Sequence, residues 1–132
     1  MADYLFVYGT LKPELAPPEI AVPMRQLRRV GSAVVRGFLY DLGQYPGLRL
    51  NADGDQVEGD IFELSNPAVL RGLDAYEGYD PRSPGESLFI RKQCQVRLRD
   101  RDERFLCWVY EYNREPAASQ RIHAWPNPRA EN

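Results

Sequence analysis

The chain has 132 residues, 43% of them hydrophobic and 27% charged, with a net charge of −2; that length supports one domain around a single core. A balance so near neutral offers no basic excess to neutralise phosphates, which argues against nucleic acid as a partner. No apolar run approaches the ~20 residues of a membrane helix. The opening Met1-Ala2-Asp3-Tyr4-Leu5 lacks the basic segment and apolar stretch of a signal peptide, and reads as the first strand of a cytoplasmic protein.

Tyr4 to Tyr8 is a β-branched and aromatic run stopped by Gly9, which predicts a buried strand. Prolines dominate Lys12 to Pro23, a loop, and Met24 to Arg29 reads as a short helical turn. A long strand is expected over Val30 to Leu42, with Gly31 and Gly37 marking a bulge or a close approach. Asn51 to Asp55 is a turn in which Asp53-Gly54 signals a hairpin, and Val57 to Leu64 is the next strand. Asn66-Pro67 starts a helix, with Asn as cap and Pro in the first helical position. Val69, Leu70, Leu73 and Tyr76 form its apolar stripe, and it runs out at Glu77-Gly78. After a Pro/Gly loop over Tyr79 to Glu86, Ser87 to Arg99 turns Ile90, Cys94, Val96 and Leu98 to one face. Arg104 to Asn113 is the last strand and carries Trp108, Tyr110 and Tyr112 on one face. The expected class is α+β: a small mixed β-barrel-like sheet of about six strands with one main helix packed on it. Residues 1–113 form the domain, and 114–132 an extended tail.

Several residue patterns limit the chemistry. Asn51, Asp53 and Asp55 resemble a calcium loop, but the glycine is misplaced and the closing glutamate is missing, so a turn is the better reading. Cys94 and Cys107 have no CxxC spacing, and the single histidine, His123, lies near the C-terminal end. That excludes a zinc-type site and favours two reduced, buried thiols over a disulfide. One isolated histidine also argues against a Ser-His or Cys-His nucleophile. Proton chemistry would therefore fall to a carboxylate, lysine or tyrosine.

Two stretches remain. Tyr8-Gly9-Thr10-Leu11-Lys12 sits where a buried strand ends. Its successive N–H groups could form an anion-binding concavity, or Gly9 could be an ordinary strand-ending glycine. In Leu73-Asp74-Ala75-Tyr76-Glu77-Gly78, Glu77 closes a helix beside aromatic residues. The negative end of the helix dipole and desolvation would raise its pKa, unless it is a solvated glutamate in a turn.

Together, in this order, the two stretches resemble the YGTL/YGSL and LDxxEG motifs of the gamma-glutamylcyclotransferase-like family. The Tyr45-Pro46-Gly47-Leu48 turn, the Val57 to Phe62 strand and the strand from Arg91 to Val96 are also similar, so the likeness runs from about Tyr4 to Asn113. One departure is Phe89, where the family often has tyrosine two residues before the equivalent of Arg91.

The resemblance implies cleavage of a γ-glutamyl amide by the substrate's own α-amine, releasing 5-oxoproline and an amine or amino acid. Glu77 would be catalytic, taking the ammonium proton and passing it to the leaving nitrogen. The N–H groups of Gly9, Thr10 and Leu11 would hold a carboxylate or the developing oxyanion, with the Thr10 hydroxyl assisting and Tyr8 walling the pocket. Lys12 and Arg91 are further charge candidates. The partner implied is a small-molecule γ-glutamyl substrate, with no metal, organic cofactor or membrane. Two alternatives stand beside this: a non-catalytic module binding a γ-glutamyl or pyroglutamyl ligand, which Phe89 would favour, and an interaction domain using the fold alone.

Overall fold

The computed structural model describes residues 3–8, 27–43, 45–64, 66 and 68–123. In chain order the elements are β1 (Asp3–Val7), β2 (Arg28–Asp41), β3 (Pro46–Leu50), β4 (Asp55–Leu64), α1 (Ala68–Glu77), β5 (Phe89–Leu98), β6 (Arg104–Tyr112) and β7 (Arg121–Ile122). β2, β4, β1, β6 and β5 pair in that order, and β5 returns to β2 through Ala33↔Leu98 and Val34↔Arg97, which closes a five-stranded barrel. β1 runs parallel to β6, whereas the other barrel pairings are antiparallel. The sheet is therefore mixed, as the sequence predicts.

Side chains alternate across a strand, and here both faces are dry where it matters. Phe6, Ala33, Val35, Val57, Ile61, Val96, Cys107 and Val109 fill the barrel interior. On the outer face Leu5, Val7, Phe62, Leu64, Phe89 and Tyr110 pack under Val69, Leu70 and Leu73 of α1. Burial on both sides explains why β1 reads as an unbroken apolar run rather than an alternating one.

β2 carries most of the irregularity. Its register against β4 jumps from Arg29↔Phe62 to Gly31↔Ile61, a bulge at the expected glycine. At Gly37 the strand pairs with Leu50 of β3 and with Asp55 of β4 on its other edge. Segment 51–54 crosses β2 there: Asn51 N–H donates to the Arg36 carbonyl at 3.2 Å. A Cβ on Gly54 would lie 2.5 Å from the Gly37 oxygen, and one on Gly37 2.5 Å from the Arg49 oxygen, so both residues must be small. The expected turn forms, with Gly54 N–H on the Asn51 carbonyl at 2.9 Å. It is not a hairpin, because the strands it joins lie on opposite edges of β2.

Two other expectations need correction. Pro46–Leu50 is a strand, not part of a turn; the turn comes earlier, where Leu42 N–H reaches the Tyr45 carbonyl at 3.0 Å and Gly43 has φ 105°. Pro46 opens β3, a position where a missing N–H is tolerated. Arg28 and Arg29 start β2 opposite Glu63 and Phe62 instead of ending a helical turn; Met24 to Gln26 lie outside the described residues. After β6, residues 114–120 lead to β7, which pairs with Leu39 and Tyr40 and buries Ile122.

Candidate active site

α1 begins as its sequence suggests. Asn66 Oδ1 accepts from Ala68 N–H at 3.0 Å, satisfying one of the donors a helix start leaves open; Pro67 lies outside the described residues. The buried face is Val69, Leu70, Leu73 and Asp74. Tyr76, expected on that stripe, is 38% exposed. Asp74 replaces it because at about 100° per residue Tyr76 falls to the edge of the arc, and Glu77 falls in its middle.

The end of α1 is tied down at three points. Gly78 takes φ 69°, the left-handed conformation that favours glycine. Its N–H donates to the Ala75 carbonyl at 3.3 Å, and Tyr79 N–H donates to the Asp74 carbonyl at 2.9 Å. Leu88 N–H then binds the Gly78 carbonyl at 3.1 Å, joining the helix end to the approach to β5. Glu77 is the last helical residue before this reversal and is half-buried. Burial pushes its carboxyl up to about 7. Desolvation disfavours the charged form, which places the group within reach of both protonation states near neutral pH.

Three residues away on the same helix, Asp74 has a different environment. Tyr110 OH donates to Asp74 Oδ1 at 2.7 Å in a buried contact. Arg91 Nη2 donates to Oδ2 at 3.2 Å, and Arg91 Nε lies 2.8 Å from Oδ1. The guanidinium also stacks 4.4 Å above the Trp108 ring. Arg91 is thus already engaged in a buried pair, neither a solvated surface cation nor a free one. Asp74 and Tyr110 are absent from the sequence-derived site, although Asp74 lies inside the same short motif at helical spacing from Glu77.

Tyr8 stands just past β1. Its hydroxyl donates to the Tyr110 carbonyl at 2.6 Å and accepts from Leu48 N–H at 3.3 Å. Burial, and after it the charge of Glu77, raise the Tyr8 pKa well above its ordinary value. The Tyr110 hydroxyl is likewise shifted upward by burial first, with Asp74 and Glu77 adding to it. The charge of Glu77 is thus felt at both tyrosines. Neither phenol is a proton source near neutrality; Tyr8 ties the end of β1 to β6 and β3. Gly9, Thr10, Leu11 and Lys12 lie outside the described residues.

Phe89 is 3% exposed and packs between Tyr45 and Tyr112, with ring centroids at 6.0 Å and 5.5 Å. In this chain that position is apolar core. Cys94 and Cys107 stand opposite each other in the β5–β6 ladder as free thiols. Burial pushes them to about 11 and about 12, so neither is a thiolate nucleophile near neutrality. His123 is exposed beside Asp55, with Nδ1 3.4 Å from its carboxylate.

A closed mixed barrel with a helix packed on its outer face, and a desolvated glutamate at that helix's end, defines a small α+β domain with a carboxylate at the helix–sheet seam. The chain belongs to the gamma-glutamyl cyclotransferase, AIG2-like family, whose model matches residues 5–127. Among solved structures it is similar to an AIG2-like protein from Mus musculus, at TM-score 0.74 and 22% identity over 98% of this chain and 92% of that one. A protein from Arabidopsis thaliana matches at TM-score 0.68 and 22% identity, covering 95% of this chain and 77% of the other. A structure described as gamma-glutamyl cyclotransferase matches at TM-score 0.63 and 18% identity, covering 85% and 68%. These likenesses show the fold. No curated protein matches the chain. Among the described residues, no helix is long and apolar enough to cross a membrane.

Proposed function

We propose that this chain is a gamma-glutamyl cyclotransferase in which Glu77 is the catalytic acid–base group. The observation that carries the reading is the Glu77 carboxyl itself, held at the tied end of α1 and raised to about 7 by burial. The substrate's α-amine attacks its own γ-carbonyl, the ring closes to 5-oxoproline, and the amide C–N bond breaks. The α-ammonium proton must leave before attack, and the leaving nitrogen must gain one. Glu77 takes the first and returns it to the second, and then accepts the further proton that the ring nitrogen sheds as the lactam forms and releases it to water, which asks for a pKa between those of an ordinary carboxylic acid and an amine.

Because the nucleophile belongs to the substrate, the protein needs no thiolate or activated hydroxyl. Its contribution is to hold the folded conformer, and well-oriented internal attack reaches effective molarities of ~10⁵ M or more. The backbone N–H groups of Gly9, Thr10 and Leu11 bind the substrate's carboxylate or the oxyanion in this reading, with Tyr8 walling the pocket. Preorganised donors of that kind lower a barrier by ~3–4 kcal/mol. The Asp74–Arg91–Tyr110 cluster holds α1 on the sheet and so positions Glu77. The free thiols of Cys94 and Cys107 fit a reducing compartment such as the cytoplasm.

The test is 5-oxoproline release from γ-glutamyl-ε-lysine, γ-glutamyl amino acids and simple γ-glutamyl amines, run beside Glu77→Gln. The variant is expected to lose ~10²–10⁴-fold in turnover while still binding 5-oxoproline. In the wild type, kcat/KM should rise with pH through about 7 as Glu77 becomes the base. A variant turning over at the wild-type rate would remove Glu77 from its role. Binding without release from any compound would make the chain a ligand-binding module.

A further inference from the structure

A cavity lies at the end of β5 away from Arg91. The edge of β2 passes from β5, which it leaves at Val34↔Arg97, to β3, which it meets at Gly37↔Leu50. Between the two, Val35 and Arg36 border a gap. A cavity of about 280 Å³ opens there, lined by Arg36, Arg97 and Arg104 with Gln56, Gln95 and an apolar floor of Val34 and Val35. Along β5 it is six residues from Arg91, or ~20 Å at the strand rise, so it is separate from the Glu77 site.

Its charge is one-sided. Arg97 and Arg104 are direct cross-strand partners, an arrangement in which like charges repel and destabilise the sheet. Elsewhere on this surface arginines have carboxylate partners: Arg28 with Glu63, Arg29 with Asp60, Arg99 with Glu58 and Arg121 with Asp55. Arg36, Arg97 and Arg104 have none among the described residues, and Arg36 reaches only the Gly54 carbonyl, at 3.3 Å. Of the carboxylates in the adjoining β4 ladder, Glu58, opposite Val34, is held by Arg99 at 2.7 Å, and Asp55, opposite Gly37, by Arg121 at 2.9 Å. Three guanidinium groups without a carboxylate partner therefore line one concavity, and none of the described residues lining it is acidic.

We propose that this cavity is an anion subsite for a small molecule bearing a dianionic phosphate group. Guanidinium forks match phosphate oxygens in geometry and remain charged at any physiological pH. Three of them oppose two negative charges better than they oppose a single carboxylate. The Gln56 and Gln95 amides can donate to and accept from a polar group attached to the phosphate, and the volume exceeds that of a bare phosphate while remaining at the low end for ligand pockets.

The test is calorimetric titration of the full chain with methyl phosphate in chloride buffer at fixed ionic strength, with amide chemical shifts followed by NMR. Saturable binding is expected, with shifts at Val34, Arg36 and Gln95. The Arg97→Gln/Arg104→Gln double variant should weaken it by at least about tenfold, and Glu77→Gln should leave it unchanged. Removing the cross-strand repulsion should leave the ligand-free melting temperature of the double variant equal or higher, so lost binding is distinguishable from lost folding. If the double variant is instead destabilised, Arg36→Gln serves the same purpose from the opposite strand. Binding that survives these changes, or an absence of saturable binding, overturns the subsite. Malonate binding more tightly than methyl phosphate overturns its assignment to phosphate.

Discussion

Under α1 both faces of the barrel strands are buried, and they hold very different chemistry. Inside, Phe6, Ile61, Val96 and Val109 pack in one apolar cluster. Outside, under α1, the same strands present Tyr110 and Arg91 to the Asp74 carboxylate of the helix. An interior closed on all sides by hydrogen-bonded strands has nowhere to place a charge cheaply. The helix–sheet seam can hold charge because its polar groups come from three elements and can be paired or left unpaired by choice of residue. Asp74 and Glu77 show the two options three residues apart. The first is neutralised by Arg91 and bonded by Tyr110; the second is desolvated and lifted to about 7.

The largest test of this contrast is Asp74→Asn. It leaves Arg91, whose side chain is 17% exposed, without its counter-charge. Breaking one side of a buried pair typically destabilises by ~3–5 kcal/mol, which urea unfolding would read as a lower midpoint at unchanged slope. The double variant Asp74→Asn/Arg91→Met should recover much of that loss, because the stranded cation is gone. A single-variant effect below ~1 kcal/mol, the range of exposed pairs, would mean that the pair does not hold the seam and that apolar packing of α1 alone does.

Glu77 supplies the next test, and its sign is opposite to that of a salt-bridged acid. Its folded-state pKa is raised from 4.5 to about 7, so the folded protein holds a proton that the unfolded chain releases. Stability from this group is fully present below about pH 4.5 and is lost as pH rises through 7. At 1.36 kcal/mol per pKa unit the full span is at most ~3 kcal/mol. Subtracting the Glu77→Gln profile from the wild-type profile isolates it from the other titrating groups. A difference that is flat between pH 5 and pH 8 would place the carboxyl in water and erase the contrast with Asp74.

Much of this was legible in the sequence because it depends on periods and punctuation. Strands β1, β2, β4, β5 and β6, the capped helix and the bulge at Gly31 follow from apolar patterning, Asn66 and glycine placement, whereas β3 and β7 do not. The site was only half legible. Glu77 could be singled out by its place at a helix end, and angular order on α1 would also have put it in the middle of the buried arc. Asp74 could have been read the same way, but a carboxylate is assigned to the surface by default until its partners are known. Arg91 and Tyr110 are 17 and 36 residues away from it in sequence, and no local pattern links them. The crossing at Gly37 was hidden for a related reason: Asp53-Gly54 specifies a turn, but which edge of β2 the next strand joins is a tertiary matter.

The smallest effect sharpens the comparison within α1 alone, by making one substitution at two glycines. Gly72 lies in the exposed helix interior, where an added Cβ meets nothing within 4 Å. Gly72→Ala is expected to stabilise by ~0.5–1 kcal/mol, because it reduces the freedom of the unfolded chain and improves helix propensity. At Gly78 an added Cβ also has room, with Leu88 Cβ 3.4 Å away, but φ is 69°. Gly78→Ala should therefore destabilise by ~1–2 kcal/mol through backbone strain alone. The two bonds that reverse the chain after Glu77 depend on that conformation, so relaxation at Gly78 would also turn the carboxyl toward water. Differential scanning calorimetry should give melting temperatures moving in opposite directions, and in Gly78→Ala the pH-linked stability loss assigned to Glu77 should shrink. If Gly78→Ala matched Gly72→Ala in sign, the left-handed turn would not be what holds Glu77 in its desolvated position.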